Sequence, residues 1–291
     1  MRDRKIIINA DDYGLSPAVS AGIIRGFEEG IVGSGSVLSN MPQVSDWIAK
    51  APKALPLGLH LNITLGRPVL PVELVPSLVN DKGEFRSLPE LLKVIHEVSL
   101  LELRAELQAQ AVRMLEAGRD FDHINSHQHI LVIYRPFVPL LLELIQQYQV
   151  PLRQPVPLKL NLPKRRRSGD YIWEYVQLGL QNPKAVVQNL PKMVFWKNNL
   201  AAEEFITTDY LVLDMFRNAK LENFEALLEN LPKGTTEVVF HPADNLHEPD
   251  FNDRYTLEER SNELEMLCHP DARSLLHKHE IELTNFSKLA A

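Results

Sequence analysis

Hydrophobic and polar positions along the chain follow two alternating patterns. Short, continuous apolar runs of the kind found in buried strands are followed by windows in which apolar residues recur every three or four positions, as along one face of a helix. The apolar runs predict strands at Lys5–Ala10, Ile31–Leu38, Leu57–Ile63, Asp122–Asn125, Val150–Arg153, Tyr210–Leu213, Glu237–His241 and Ile281–Thr284. The helical windows predict helices at Val44–Ala51, Leu100–Ala117, Phe137–Tyr148, Leu221–Leu231 and Leu257–Leu267.

One more helix is predicted directly after the first strand. Ser16 is a typical N-cap, Pro17 suits the first helical position, and Gly30 supplies a stop signal. The segment from Thr64 to Leu88 is rich in proline and glycine and is predicted to be a long irregular connection.

The alternation of strands and helices indicates an α/β fold, because parallel strands need crossover connections between them. At least seven predicted strands spread over residues 1–291 favour a single domain, an irregular TIM-barrel-like (β/α) barrel with parallel strands. An open doubly wound sheet is the alternative. Residues 155–200 interrupt the pattern with five prolines and are predicted to be an insertion. No Gly-x-Gly-x-x-Gly turn follows the first strand, which disfavours a nucleotide-binding fold.

Composition narrows the classes of function. The chain has 31 Lys and Arg against 38 Asp and Glu, a net charge of -7, which argues against general nucleic-acid binding. No stretch approaches the ~18 apolar residues of a membrane span. The first apolar run is too short for a signal peptide, and Cys268 is the only cysteine, so a cytoplasmic protein without disulfides is expected.

Ionisable and amide side chains follow five of the predicted strands. In chain order they are Asp11 and Asp12, His60 and Asn62, His127 and His129, Arg153, and His241. Because active sites of α/β folds form where the carboxyl ends of parallel strands meet, we expect these side chains at one rim. Each also has a plainer interpretation when taken alone. Asp11 and Asp12 could cap a turn, His60 could be a packed core histidine, and Arg153 is more often an ion-pair partner than a catalytic group.

These residue types together permit metal-assisted hydrolysis. Two imidazoles and one carboxylate form a three-ligand metal site that leaves positions for water and substrate. A neighbouring carboxylate can act as general base on that water, and a further imidazole can protonate the leaving group. Adjacent residues at a strand end point in different directions, so Asp11 and Asp12 can divide into one base and one ligand. Imidazole ligands suit Zn, Fe, Mn or Co better than Mg.

Four segments resemble the YdjC/ChbG family of carbohydrate deacetylases. They are Asn9–Ser16, Gly58–His60, His123–His129 and His241-Pro242, of which the first and third are specific. Their order and approximate spacing match across nearly the whole chain. The resemblance implies an irregular TIM-barrel-like fold. It also implies an enzyme that hydrolyses acetamido groups on sugars with one divalent metal ion, often described as Mg. Some members carry three consecutive histidines in the third segment, where this chain has Gln128 in the middle.

The resemblance also implies roles for individual residues. Asp12, His60 and His127 would bind the metal ion. Asp11 would be the general base, and His241 its acid partner.

The substrate-binding residues and the substrate are predicted more broadly. Asn62, His129 and Arg153 are assigned to substrate binding. Gly66–Pro71 and Asn80–Phe85 resemble the branch of the family linked to hopanoid biosynthesis. The substrate therefore stays open between chito-oligosaccharides and a sugar-bearing lipid.

Two alternative functions and a homodimer are also considered from the sequence. The chain could hydrolyse another bond, such as a phosphoester, with a metal ion, or it could be a non-catalytic sugar- or metal-binding protein. Aromatic residues in the 155–200 insertion suggest a stacking surface for sugars or a homodimer contact, with plain packing as the alternative.

Overall fold

The computed structural model describes residues 3–158, 160, 205–244, 247–249, 251 and 255–289. The strands in this part of the chain are β1 Arg4–Tyr13, β2 Ser34–Val37, β3 Leu57–Leu61, β4 Ile124–Ser126, β5 Tyr210–Val212, β6 Gly234–Phe240 and β7 Glu282–Thr284. The helices are α1 Pro17–Glu28, α2 Val44–Lys50, α3 Leu88–Val94, α4 Leu100–Glu116, α5 Ile130–Ile133, α6 Val138–Tyr148, α7 Leu221–Asn230, α8 Leu257–Leu267 and α9 Pro270–Lys278.

The strands form one parallel sheet with β1 at its centre. The order is β4-β3-β2-β1-β6-β5, and β7 pairs with the first half of β1. Asn9 of β1 is paired with Ser34 of β2 on one side and with Val239 of β6 on the other. Ile7, at the middle of the three-isoleucine run, is fully buried like its neighbours, as expected for a parallel strand covered on both faces.

A short segment, residues 151–158, joins the two edge strands. It pairs in parallel with β4 at Leu152 and with β5 at Pro157. The strand predicted at Val150–Arg153 is thus reduced to one bridge, because Pro151 has no N–H to donate to a ladder. The seven strands and this segment form an irregular parallel (β/α) barrel. The predicted fold class is confirmed, and the open doubly wound alternative is not observed.

Helix α1 begins where its sequence signals predict. The Ser16 hydroxyl accepts a hydrogen bond of 3.3 Å from the Val19 backbone N–H, and Pro17 is the first helical residue. The helix packs so closely on the chain after β6 that a side-chain carbon on Gly22 would lie 2.5 Å from Ala243. This contact holds the segment that follows β6 beside the end of β1.

The connection from Thr64 to Leu88 is irregular, as predicted, and is tied to helix α4. The carboxylate of Glu106 accepts the backbone N–H groups of Val69 at 2.9 Å and Leu70 at 3.0 Å. Burial of the Glu106 side chain raises its pKa. The connection therefore has a defined path, although its only regular structure is a short 3-10 helix at Val72–Leu74 and one bridge between Val79 and Phe85.

Three helices, α3, α5 and α9, are absent from the predictions. They are short, with seven, four and nine residues, so their apolar positions repeat over about two turns at most. The cues at the starts of α3 and α9 are nevertheless in the sequence. Ser87 and Glu90 form a capping box before α3, and the His269 side chain caps α9 by accepting the N–H of Asp271.

Most of the predicted insertion at 155–200, with its aromatic residues, lies outside the described residues. Within the described part of the chain, no helix combines the length and hydrophobicity needed to cross a membrane. Cys268 follows α8 and is half-buried, with its sulfur 3.9 Å from the Arg25 carbonyl oxygen.

Candidate active site

The adjacent residues Asp11 and Asp12 reach the same rim of the barrel through an irregular backbone. A regular strand would point them to opposite faces of the sheet. The pairing of β1 with β2 instead shifts between Ala10 and Tyr13, and Asp12 has a φ of 74°. A non-glycine residue rarely adopts this conformation, so the strand end is specifically shaped. Asp11 turns towards Arg153, and Asp12 turns towards two histidines.

Asp12, His60 and His127 form a compact group of candidate metal ligands. Asp12 Oδ1 lies 3.1 Å from His127 Nδ1 and 3.4 Å from His60 Nε2, and the two nitrogens are 3.2 Å apart. Ligands at ~2.1 Å from one ion are separated by ~3.0 Å in octahedral and ~3.4 Å in tetrahedral geometry. The three separations fit a single ion bound by one face of its coordination shell.

The buried carboxylate oxygen of Asp12 gives an independent reason to expect a cation. Asp12 Oδ1 is inaccessible to solvent and has no hydrogen-bond partner among the described residues. An unpaired buried carboxylate oxygen is costly, and a bound cation would remove that cost. The donor set of one carboxylate and two imidazoles fits a divalent transition metal by ligand type.

His60 is held in the tautomer that a metal ligand requires. Its Nδ1 lies 2.5 Å from Asn125 Oδ1, and because a carboxamide oxygen can only accept, Nδ1 carries the proton. Nε2 therefore keeps its lone pair and points at the Asp12 and His127 ligand atoms. Metal-binding histidines are commonly oriented in this way by a hydrogen bond to their second nitrogen.

The other oxygen of Asp12 is bound by Arg260 of helix α8. Arg260 Nη2 donates to Asp12 Oδ2 at 2.7 Å, and both side chains are buried. Burial works to raise the pKa of Asp12, but the Arg260 charge and the two imidazoles outweigh it and hold that pKa well below its usual range. Asp12 is therefore an anion in the folded protein, as a ligand must be.

Asp11 is held in a two-pronged ion pair with Arg153. Arg153 Nη1 donates to Asp11 Oδ2 at 2.7 Å, and Nη2 donates to Oδ1 at 2.8 Å. Asn9 Nδ2 also donates to Oδ1 at 2.8 Å. Burial raises the pKa of Asp11, but the Arg153 charge and the neighbouring imidazoles of His60 and His241 more than compensate and leave that pKa far below its usual value.

Arg153 bridges two carboxylates across the inside of the barrel. Its Nε donates to Glu237 Oε1 of β6 at 2.8 Å, while its other nitrogens hold Asp11. Burial raises the pKa of the Glu237 carboxyl. Nε, Nη1 and Nη2 thus all donate to carboxylates inside the protein, as expected for an ion-pair partner. The predicted contact of Arg153 with substrate stays a prediction.

His241 lies at the end of β6, next to the same carboxylates. Its ring packs edge-on against Phe216 and Tyr255, and its backbone N–H donates to Glu263 of α8. Burial lowers the pKa of His241 to about 4, although Asp12 and Asp11 act in the opposite direction. Its Nδ1 atom has no hydrogen-bond partner among the described residues.

The two other predicted substrate-binding residues differ in their surroundings. Asn62 is fully buried, and its side chain bonds to Asn40 at 3.0 Å and to the Leu65 carbonyl at 2.7 Å. His129 lies beside the site with a φ of 57°, and burial lowers its pKa to about 3. Contact of either residue with a substrate stays a prediction. In the structure the Asn62 side chain bonds to other residues of the protein.

Several supporting residues were not identified from the sequence. They are Asn9, Ser36, Asn125, Glu237, Arg260 and Glu263. Only Arg260 and Glu263 had a usable signal, since they share one face of α8 with the apolar residues Leu264 and Leu267. A charged residue on an apolar helix face indicates a buried partner. The others look like ordinary strand residues until the strands are assembled.

The chain is similar to known proteins over nearly its whole length. The sequence matches the profile of the family described as "YdjC-like protein" over residues 5–278. The chain belongs to this family. A protein from Enterococcus faecalis named carbohydrate deacetylase is 29% identical over the full length of both chains. A carbohydrate deacetylase from Brevibacillus brevis is also 29% identical, over 98% of this chain and 99% of its own.

A solved structure has the same fold. It is a protein from Enterococcus faecalis, described as a candidate for cellobiose-phosphate cleavage, and it superposes with a TM-score of 0.75. The two sequences are 26% identical, and the match covers 99% of both chains. The irregular barrel is therefore the architecture of a solved relative as well.

Proposed function

We propose that the chain is a divalent-metal-dependent hydrolase that removes the N-acetyl group from an N-acetylated sugar. The observation that carries the proposal is the buried ligand group of Asp12, His60 and His127 next to the ion-paired Asp11. Family membership and the names of the full-length relatives support sugar deacetylation. We treat residues 1–291 as one catalytic domain.

Each of the five central residues has a proposed task. Asp12, His60 and His127 would hold one divalent ion, which when bound would polarise the acetyl carbonyl and lower the pKa of water. Asp11 is an anion at neutral pH because of Arg153, so it is available to take a proton from the attacking water. His241 would deliver a proton to the departing amine. Acetate and a free amino sugar are the products, and water supplies the atoms that are added.

The low pKa of His241 sets a condition on this proposal. An imidazole with a pKa of about 4 is neutral at pH 7 and cannot act as an acid until it gains a proton. Asp11 and Asp12 both favour the charged imidazole. His241 would therefore receive its proton during the reaction, rather than hold it beforehand.

The metal and the sugar are proposed by class. The ligand types favour Zn or a similar transition metal, and Mg is the alternative. The substrate class is a chito-oligosaccharide or a related amino sugar, with a lipid-linked sugar amide as the alternative. His129, Asn62 and Arg153 are the proposed substrate-binding residues. Asn62 and Arg153 are buried, whereas His129 is partly exposed, which supports direct contact by His129.

The test is acetate release from N,N′-diacetylchitobiose by metal-loaded protein. EDTA-treated protein is expected to lose the activity. Asp11→Asn should keep the metal and lose a factor of ~10²–10⁴ in turnover, because it removes a general base. Full activity of either preparation would contradict the mechanism. A protein that binds one metal ion but releases no acetate from this sugar would direct the search to lipid-linked amino sugars.

A further inference from the structure

A column of buried polar side chains fills the inner face of the sheet beneath the candidate site. It consists of Asn9 of β1, Ser36 of β2, Asn125 of β4 and His123, which directly precedes β4. All four residues are at most 1% exposed. A barrel interior is usually filled by branched apolar side chains, so a polar column at this position needs an explanation.

Ser36 is the point at which the contacts of this column meet. Asn9 Nδ2 donates to Ser36 Oγ at 2.8 Å, and Asn125 Nδ2 donates to the same oxygen at 2.7 Å. The third neighbour of Ser36 Oγ is His123 Nε2, at 3.2 Å. The hydroxyl accepts two hydrogen bonds and has one proton, so it must donate that proton to His123.

The assignment of donors continues in both directions. Upwards, Asn9 uses its second N–H for Asp11, while Asn125 uses its oxygen for His60 Nδ1. Each amide is thereby fixed in one orientation, because its nitrogen faces Ser36. A flipped Asn125 would present an N–H to His60 and would favour the wrong tautomer of that ligand.

Downwards, His123 is fixed by the lower end of the barrel. Its Nδ1 lies 2.7 Å from Asp122 Oδ1, and its ring stacks on Phe286 with ring centres 3.9 Å apart. Ser287 holds the other oxygen of Asp122 through its backbone N–H at 3.0 Å and its hydroxyl at 2.7 Å. Nδ1 therefore donates to Asp122, and Nε2 is left to accept from Ser36.

The His123 ring occupies space beside Gly58 of β3 that a larger residue would fill. A side-chain carbon at Gly58 of β3 would lie 2.1 Å from the His123 ring. No side chain other than hydrogen fits there while the ring keeps its place.

We propose that Ser36 is a positioning residue that couples the general base to the metal site. Through Asn9 it orients the Asp11 carboxylate, and through Asn125 it selects the His60 tautomer whose Nε2 is free to bind a cation. His123 and Asp122 hold the Ser36 hydroxyl in the required direction. The inference rests on the proposed function, since it assigns Ser36 a role towards that metal ligand and that base.

The test compares two serines of the same strand. Ser36→Ala leaves two buried amide N–H groups without an acceptor. Ser34→Ala is the matched control, because Ser34 lies two residues earlier on the same face of β2, is fully buried, and has a hydroxyl without a partner among the described residues. The primary readout is the dissociation constant for Zn²⁺ or Co²⁺, measured by equilibrium dialysis on the metal-free proteins. Circular dichroism and thermal unfolding verify that all variants are folded.

We expect Ser36→Ala to bind metal about 10- to 100-fold more weakly, as is typical when a supporting hydrogen bond of a ligand is lost. Its kcat for diacetylchitobiose should also fall, while KM changes less. Ser34→Ala should match the wild type in both. Ser36→Thr restores a hydroxyl and should recover metal affinity, which a merely steric effect of the alanine variant would not predict.

Two outcomes would overturn the inference, and they are distinguishable. Wild-type protein that binds metal and releases acetate, with Ser36→Ala equal to Ser34→Ala, would reject the role of Ser36 and leave the proposed function intact. Wild-type protein that binds no divalent metal would reject the proposed function and the inference with it.

Discussion

Asp11 and Asp12 are neighbours in the chain, yet their carboxylates serve different partners. The positive φ of Asp12 separates them, so that one faces Arg153 and the other faces two imidazoles. The same division into one base and one ligand was expected from the directions of adjacent side chains at a strand end. The sequence could not indicate the irregular backbone, because Asp12 looks like any strand residue. The catalytic roles themselves stay predictions.

Arg153→Lys should separate the role of Arg153 from metal binding. A lysine keeps the charge but cannot replace the two parallel hydrogen bonds to Asp11 or reach Glu237 at the same time. A small misplacement of a catalytic group costs about 10²-fold, so we expect a fall in kcat of that order. The three candidate ligands are untouched, and metal content should stay at the wild-type level.

Steady-state kinetics and metal analysis by mass spectrometry test this prediction. Loss of metal together with activity would instead make Arg153 a structural support for the whole rim. Unchanged kcat would mean that Asp11 does not depend on its ion pair.

At the scale of elements, the paired strands β3 and β4 explain a motif that the sequence could identify only by resemblance. Gly58, in the Gly-Leu-His segment, has no side chain, and this leaves space for His123 inside the barrel. Glycine in a strand often marks such a close approach. Neither residue indicates the other in the sequence, because 64 residues lie between Gly58 and His123.

Gly58→Ala is expected to destabilise the protein because it overpacks this contact. Inserting a carbon 2.1 Å from the His123 ring forces the ring or a strand to move, which typically costs 1–3 kcal/mol. The same substitution in a His123→Ala background should cost much less, because the ring is gone. Urea unfolding of the four proteins measures the coupling, and additive costs would contradict the proposed contact.

Most strands and helices could be predicted, because burial of one or both faces requires a local pattern of apolar residues in the sequence. Seven of the predicted strands are found at or near the predicted positions, with ends that move by a few residues. The exact ends of the strands depend on hydrogen bonds to neighbouring strands, and these bonds cannot be read from the local sequence. The strand predicted at Val150–Arg153 was wrong as a strand for this reason, since only Leu152 finds a bridge.

At the scale of the whole molecule, the candidate site depends on pairs of residues that lie far apart in the chain. Arg260 and Asp12 are separated by 248 positions, and Arg153 and Asp11 by 142. Periodicity carries no information over such distances. The rule that polar residues gather at the carboxyl ends of parallel strands predicted which side chains would meet. It could not predict the arginines and amides that orient them.

Glu263 lies at one of these distant junctions and should make stability depend on pH. It is fully buried, accepts hydrogen bonds from the His241 backbone and the Tyr255 hydroxyl, and lies near Arg260 and Glu259. Burial raises its pKa to about 8, although its hydrogen bonds and Arg260 act in the opposite direction. The ordinary pKa of an exposed glutamate is 4.5.

Between these two pKa values the folded protein holds a proton that the unfolded chain has lost, so stability should fall as pH rises. The contribution of Glu263 is fully present below pH 4.5 and is lost as pH rises through about 8, with a slope of at most ~1.4 kcal/mol per pH unit. Glu263→Gln removes the titration and keeps an acceptor oxygen. Urea unfolding of both proteins from pH 5 to 8 tests this, because Glu106 and Glu237 titrate in both and cancel in the difference. The stability of the wild type relative to the variant should decline with pH, and parallel curves would mean that Glu263 is already ionised in the folded protein.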